Sequence, residues 1–326
     1  MSSTHTLPRV TAVIVTYNRL EKLQQTVRNT LAQPFFRVVV VNNASTDGTK
    51  AYLDSLDDVR LDIVHEAVNK GGAGGFECGF AHALKNEEAE WLVCFDDDAY
   101  PMPDALVRFA ALTPGYDVGG VAAAVYFPDG RICSMNRPGQ NIFRSPRTWL
   151  SAFFRRSGAL GLGDIAYSGT QPIPVAFSSF VGLFVRCPVV KALGLPRSDL
   201  FIYRDDSLYT LSLTQANYSL LFAPLVRFVH DCATPSSGVR VYNPLWKVYY
   251  IVRNDLPFFR QLAGPYFPLI LPLLIIKFLA STRHYDRPMM FLKVFAVAIV
   301  DGLRGNFSRS HAWVVAYGNS QVKSEE

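Results

Sequence analysis

Asp96-Asp97-Asp98 follows the apolar run Trp91–Phe95 without a break. Three adjacent carboxylates repel one another, and burial makes that repulsion costly. A hard divalent cation removes the cost, and Mg2+ or Mn2+ commonly sits between one or two carboxylates and the phosphates of a substrate. In an extended segment Asp96 and Asp98 point to one side and Asp97 to the other. Asp96 and Asp98 are therefore the expected pair around a metal and a nucleotide, with Asp97 turned toward a backbone or sugar contact. A solvated acidic loop is the plain alternative. Its place directly after a buried strand argues for the metal.

Three further clusters carry chemistry. Asn69–Phe76 (NKGGAGGF) holds four glycines in five residues ahead of a helix, a pattern that lets backbone N–H groups approach an anion. It fits neither the P-loop spacing nor a strict G-x-G-x-x-G, so it also reads as a tight strand-to-helix turn. Arg204-Asp205-Asp206 precedes a helix, where the macrodipole keeps a carboxylate ionised as a general base requires, and one of the two aspartates is expected to cap that helix. His230-Asp231 ends a later apolar run; a lone His is more often structural than a ligand, so its meaning depends on its neighbours.

The elements that must position these residues alternate. Val10–Thr16, Val38–Val41, Leu61–Val64 and Trp91–Phe95 are short β-branched or apolar runs of the kind covered on both faces of a sheet. Leu20, Leu23, Val27 and Leu31 recur at helical spacing between the first two, and a helix is expected to run from the glycine-rich loop through Ala83. The β-α-β order predicts an α/β fold, a doubly wound and mostly parallel sheet with ligands at the carboxyl ends of its strands. Every polar cluster named above lies at such an end. Gly119–Val185 reads as irregular strands with a long excursion over Pro138–Gly169, Phe201–Asp206 leads into a helix, and Leu220–His230 is a further strand. Beyond Tyr242 the chain is helical and apolar.

Composition bounds the class. The 326 residues are 49% hydrophobic and only 18% charged, which excludes a disordered chain. Ten Lys and Arg against three Asp and Glu fall between Arg240 and Ser310, a basic and apolar quarter that points to an anionic lipid surface before nucleic acid. Gln261–Ile276 is uncharged but shorter than a spanning helix and interrupted by Pro265, Pro268 and Pro272, so an in-plane membrane contact or a buried core helix is expected. The five cysteines form no C-x-x-C pair, and the first residues lack the pattern of a signal peptide; a cytoplasmic chain with reduced thiols is expected.

Taken together, the strand ending in Val15–Arg19, then VVVVNNASTDGT (Val38–Thr49), NKGGAGGF, FDDDA, FIYRDD and a His on a later strand resemble the family 2 glycosyltransferases of the GT-A fold, and most of all the branch containing bacterial galactofuranosyltransferases. The resemblance covers about residues 8–260, and Tyr249–Asn254 resembles a segment that follows the catalytic domain in such enzymes. It implies a catalytic domain over 8–240 and a helical region over 241–326. Thr16, Tyr17 and Asn18 would border the nucleotide, Asn42 or Asn43 would face its base, and Asn69, Gly72 and Gly75 would line the donor. Asp96, Asp98 and His230 would hold Mn2+ or Mg2+ with the diphosphate, Asp206 would be the base with Asp205 beside it, and Ser179-Phe180 stands where an aromatic pair is often found at the acceptor platform. The chain departs from the family twice: Asn42 stands where Asp is usual, and Leu208 where Glu is frequent.

The function so implied is inverting transfer of a sugar to a hydroxyl of a lipid-linked saccharide in cell-surface glycan synthesis. UDP-galactofuranose is the expected donor and dTDP-rhamnose the rival. The enzyme is expected at the inner face of the cell membrane, with a homo-oligomer possible and no nucleic-acid partner. A nucleotidyltransferase shares the sheet and the aspartate-bound metal, but the chain has no N-terminal glycine-rich loop with an Arg before the first helix. A catalytically silent assembly subunit is the non-enzyme alternative, motivated by Asn42 and Leu208.

Overall fold

The computed structural model describes residues 7–144, 160–232 and 241–319. Part of the excursion read over Pro138–Gly169, namely 145–159, lies outside the described residues, as does the expected domain boundary at 240.

Among the described residues nine strands form one sheet: β1 (Val10–Thr16), β2 (Arg37–Asn42), β3 (Leu61–His65), β4 (Trp91–Asp96), β5 (Ala99–Pro101), β6 (Val118–Tyr126), β7 (Ile173–Val175), β8 (Leu183–Arg186) and β9 (Ser219–His230). Their order is β3-β2-β1-β4-β8-β6-β9-β5, with β7 also on β9. The block β3-β2-β1-β4 is parallel throughout, as the β-α-β order requires. Beyond β4 the directions mix: β8 runs antiparallel to both β4 and β6, while β9 is parallel to β6. The irregular strand signals after Gly119 have this cause, since an antiparallel insertion breaks the crossover rhythm of the first half.

Both faces of the parallel block are covered. Val10, Ala12 and Ile14 of β1 pack with Leu23 and Val27 of the Leu20–Leu31 helix on one face, and Val13 and Val15 pack with Phe76 and Phe80 on the other. The helix of Phe76 starts at Gly71 and ends at Ala83, so the four glycines are its first turn and not a loop ahead of it. A Cβ on Gly75 would stand 2.3 Å from Val15 Cγ1, and one on Gly79 2.4 Å from Val13 Cγ1. Glycine at these positions lets the helix lie directly on β1.

The C-terminal helices are built into the molecule. The Trp246–Ala263 helix and the start of the next one contribute Leu256, Phe258, Leu262 and Phe267 to a core that also contains Ala73, Phe177, Leu200, Leu208 and Leu211. The expected boundary at 240 is therefore bridged by shared apolar packing. Helical backbone continues to His284 through the short Gly264–Tyr266 turn, and this 39-residue stretch is long and apolar enough by composition to cross a membrane. Its first half is buried, against Met290, Phe291 and Val294 of the Pro288–Arg304 helix and against the core around Leu200, Leu208 and Leu211. The Phe267–Ser281 helix turns a broad apolar face outward, through Leu269, Leu273, Ile276 and Leu279. Fifteen residues rise about 22 Å, less than the ~30 Å of a hydrocarbon core.

Candidate active site

A cavity of about 400 Å³ opens at the carboxyl end of the parallel strands, bounded by Asp96 and Asp98 after β4, His230 at the end of β9, and Asp205 and Asp206 at the start of the Asp205–Gln215 helix. Three chain segments far apart in sequence thus converge on one space. The carboxyl-end rule for α/β sheets explains why they meet here.

The triple aspartate divides as the strand alternation requires. Asp97 turns away from the cavity, and its Oδ2 accepts from Thr16 Oγ1 at 2.8 Å and from the backbone N–H of Tyr17 at 3.2 Å. Asp97 therefore ties the ends of β1 and β4 together. Asp96, Asp98 and His230 face one another, with candidate ligand atoms all within 4.8 Å. His230 Nε2 lies 3.1 Å from Asp98 Oδ1, and its Nδ1 lies 2.8 Å from Asn136 Oδ1. Asn136 donates through its Nδ2 to Ser179 Oγ, which fixes the carbonyl as the acceptor facing the ring.

Electrostatics match a cation site. Burial, reinforced by the charge of Asp98, pushes Asp96 up to about 7. Burial also pushes Asp97 up to about 6, against the stabilising Arg19 charge and Thr16 hydrogen bond. For Asp98 burial is outweighed by the hydrogen bond and charge of His230 and by Arg19, so its pKa falls. His230 is opposed by burial, yet its hydrogen bonds to Asp98 and Cys232 push it up to about 10. Two carboxylates and an imidazole nitrogen on one wall are a donor set suited to a hard divalent cation. Arg19, whose Nη1 donates to Asp98 Oδ2 at 2.6 Å, is a cationic wall residue that the motif reading quoted without assigning.

The aspartate pair stands on an unusual loop. Phe201, Tyr203 and Arg204 all adopt left-handed backbone, with φ of 65°, 69° and 67°. Such residues cost on the order of 1–3 kcal/mol each and persist where their surroundings over-determine them. Here the Trp246–Ala263 helix supplies the constraint. Asn254 Nδ2 donates to the carbonyls of Leu200, Ile202 and Tyr203 at 2.8–3.1 Å, and Arg253 Nη2 donates to those of Asp199 and Leu200. Arg204 Nε donates to Asp255 Oδ1 at 2.6 Å. On the opposite side Phe201 O accepts from Ala73 N–H, and it lies where a Cβ on Gly71 would be, 2.0 Å away.

Neither aspartate caps its helix; Arg204 holds the cap position, and Asp205 and Asp206 are the first two helical residues. That corrects the expectation of an aspartate N-cap, and it leaves both carboxylates on the cavity wall. Burial pushes Asp205 far upward, with the Asp206 charge adding to it. Burial also raises Asp206, but hydrogen bonds from Ser207 N–H and Oγ and the charge of Arg204 oppose the rise. Asp206 is the member of the pair better suited to carry the negative charge.

The residues expected around the nucleotide divide into two groups. Gly72 and Phe180 line the cavity, with Phe180 packed edge-on to Phe76 at 4.9 Å. Tyr17 is 44% exposed at the rim of the sheet, and Asn18, at φ 52°, accepts the Thr46 N–H through Oδ1. The others are committed to internal bonds. Asn43 donates to Asn69 Oδ1 and Gly71 O and accepts from Lys70 N–H, which makes Asn43 and Asn69 a clamp at the start of the glycine helix. Asn42 Oδ1 accepts from Ser45 N–H, and its Nδ2 donates to His65 Nδ1, whose Nε2 donates to Asp54 Oδ1. Gly75 packs on Val15 and is absent from the cavity wall. Sequence spacing missed Asn136 and Tyr242, which belong to no local motif, while Tyr203 and Arg204, also on the wall, stand inside FIYRDD but are given no role by it.

Residues 11–168 match the family model described as glycosyl transferase family 2. Galactofuranosyltransferase GlfT1 of Mycobacterium tuberculosis is 29% identical over 204 residues, covering 60% of this chain and 62% of that protein, so the match spans somewhat less than two thirds of the relative. GlfT1 of Mycolicibacterium smegmatis is 28% identical over 245 residues, 72% of this chain and 76% of the relative. Among solved structures, the mannosyltransferase PcManGT from Pyrobaculum calidifontis, in complex with GDP-Man and Mn2+, superposes with a TM-score of 0.51 at 19% identity over 98% of this chain and 89% of its own. GalNAc-T7 with UDP, GalNAc and Mn2+ gives 0.53 at 14% identity, over 95% of this chain and 57% of its own. These structural likenesses establish the fold, with its mixed sheet and helical C-terminal region. Fold, motif order and relatives agree that this chain has the GT-A fold, matches family 2 glycosyltransferases over residues 11–168 and is similar to bacterial galactofuranosyltransferases.

Proposed function

We propose that the protein is an inverting, divalent-cation-dependent transferase that moves galactofuranose from UDP-galactofuranose to a hydroxyl of a lipid-linked saccharide at the inner face of the cell membrane. The observation that carries the reading is the meeting of Asp96, Asp98, His230 and the Asp205–Asp206 pair in one cavity. The names of the mycobacterial relatives support the donor.

Asp96, Asp98 and His230 would hold Mn2+ or Mg2+, which when bound supplies positive charge against the nucleoside diphosphate leaving group. Asp206 takes the proton from the acceptor hydroxyl as that oxygen attacks the anomeric carbon; general base catalysis of this kind contributes typically ~10²–10⁴-fold. Asp205, whose pKa burial and the Asp206 charge push upward, can donate a hydrogen bond from its protonated form. Asp97 holds the Thr16–Tyr17 corner at the nucleotide side. Phe180 presents an apolar wall toward the acceptor.

The membrane reading rests on the Phe267–Ser281 helix. Leu269, Leu273 and Ile276 are 60%, 43% and 61% exposed, and Lys277, Arg283, Arg287 and Lys293, within that helix or following it in sequence, are exposed as well. Apolar burial and attraction of about 1 kcal/mol per basic residue to anionic lipid would then act together.

A thermal-shift panel of nucleotide sugars, with and without Mn2+, followed by product analysis on a lipid-linked acceptor, tests the proposal. Stabilisation by UDP-galactofuranose with Mn2+ and release of UDP are expected. Preference for dTDP-rhamnose, release of pyrophosphate, or no response to any sugar nucleotide would each replace it with a different reading.

A further inference from the structure

His230 faces two different sets of metal donors through its two ring nitrogens. Nε2 looks at the carboxylates of Asp96 and Asp98. Nδ1 looks at sulfur: Cys133 Sγ is 3.9 Å from it, and Cys133, Cys232 and His230 bring candidate ligand atoms within 4.8 Å of one another. Met135 adds a third sulfur, its Sδ 3.9 Å from Cys232 Sγ. Cys133 is fully buried and Cys232 lies on the wall of the cavity, and none of the five cysteines is in a disulfide, so the pair is reached from the cavity side through Cys232.

We propose that Cys133, Cys232 and His230 Nδ1 form a second metal site, selective for a thiophilic divalent cation such as Zn2+ or Cd2+, whose occupancy excludes the hard cation of the carboxylate site. Two thiolates and one imidazole are a donor set for soft or borderline ions, whereas Asp96 and Asp98 suit Mg2+ or Mn2+. Metal–sulfur bonds near ~2.3 Å and metal–nitrogen bonds near ~2.0 Å place neighbouring donors of a tetrahedron roughly 3.5–3.8 Å apart, so the 3.9 Å Cys133–His230 separation needs only a small contraction. Asn136 Oδ1, now 2.8 Å from Nδ1 and 3.0 Å from Cys133 Sγ, has to turn aside.

The exclusion follows from the ring. A histidine that binds metal through one nitrogen usually donates its other N–H to a carboxylate or carbonyl. With a hard cation on Nε2, Nδ1–H donates to Asn136. With a thiophilic cation on Nδ1, Nε2–H donates to Asp98, as the 3.1 Å contact allows. A neutral imidazole has a single free lone pair, so the two occupancies call for opposite tautomers. A soft ion would therefore remove His230 from the carboxylate site without touching Asp96.

The test uses the metal-stripped full chain and Cd2+ alone. A thiolate-to-cadmium charge-transfer band that saturates at one equivalent is expected. It should be lost in both Cys133→Ser and Cys232→Ser, and kept in Asp96→Asn and in the control Cys78→Ser. The Cys232 change, on the cavity wall, keeps the test open if the buried Cys133 change unfolds the protein. A band absent at one equivalent, or one that survives loss of Cys232, overturns the site. The exclusion alone rests on the reading of Asp96, Asp98 and His230 as the hard-cation site, and it has its own readout. Cd2+ should release bound Mn2+, followed by its electron paramagnetic resonance, from wild type and not from Cys232→Ser. Full retention of Mn2+ as the cadmium band saturates would overturn the exclusion and leave the sulfur site standing; failure of Mn2+ to bind at all would count against the hard-cation reading instead.

Discussion

Asn254 donates its side-chain amide to the carbonyl of Tyr203 at 2.9 Å, two residues ahead of Asp205 and three ahead of Asp206. The same Nδ2 reaches Ile202 O at 2.8 Å and Leu200 O at 3.1 Å. A helix from the C-terminal region therefore sets the backbone on which the Asp205–Asp206 pair stands. Asn254→Ala removes these bonds and leaves buried carbonyls unsatisfied, a loss of about 1–3 kcal/mol. We expect kcat to fall roughly ten- to hundredfold, as that energy converts, while UDP affinity in the presence of Mn2+ stays near wild type. Steady-state kinetics beside calorimetric titration of UDP checks this; equal loss of both would mark a general folding defect.

Asp206→Asn keeps the size of the side chain but cannot accept a proton. Turnover should collapse by about 10²-fold or more with donor affinity preserved. Asp205→Asn should be the milder change, because burial and the neighbouring Asp206 charge already favour a protonated Asp205. The opposite order of severity would reverse the two roles.

The pH profile carries a sign. A general base works ionised, and burial raises the Asp206 pKa above the usual carboxylate value. The acid limb of kcat/KM should consequently lie above the ordinary aspartate range, activity rising with pH through it. Ser207 donates to Asp206 through N–H and Oγ; Ser207→Ala removes the hydroxyl donor and should move that limb further upward. A limb unmoved by Ser207→Ala would argue that another group titrates there.

Asp98→Ala removes a carboxylate that faces both His230 and Arg19. Transfer should be abolished, and UDP should bind equally with and without Mn2+. Tighter binding with Mn2+ in this variant would show that the cation sits elsewhere.

The exposed helix gives a prediction independent of chemistry. The protein should sediment with anionic liposomes at low salt and be partly released at high salt, because attraction to headgroups is screened and apolar burial is not. Charge reversal at Arg283 and Arg287 should weaken sedimentation while nucleotide binding is kept. Leu273→Glu with Ile276→Glu should weaken it at every salt concentration. Identical behaviour on neutral and anionic vesicles would remove the electrostatic part of the reading.

Local order determined much of this protein. The β-branched runs, the helical spacing of Leu20, Leu23 and Val27, and the placement of the aspartates after WLVCF made the parallel block and the shared orientation of Asp96 and Asp98 readable, because strand alternation and helix periodicity act over a few residues. Tertiary structure decided the rest. Asn43 and Asn69 became a clamp and the glycines a packing surface on β1, since a polar or small residue serves whatever the neighbouring element leaves unsatisfied. Arg204 took the helix cap through a left-handed backbone that no local pattern favours, held there by Arg253, Asn254 and Asp255 some fifty residues on. His230 acquired its meaning only when β9 brought it beside Asp98 on one side and Cys133 on the other, contacts separated by 132 and 97 positions along the chain. Contacts at that range depend on how the strands are ordered in the sheet, and spacing along the chain does not record it.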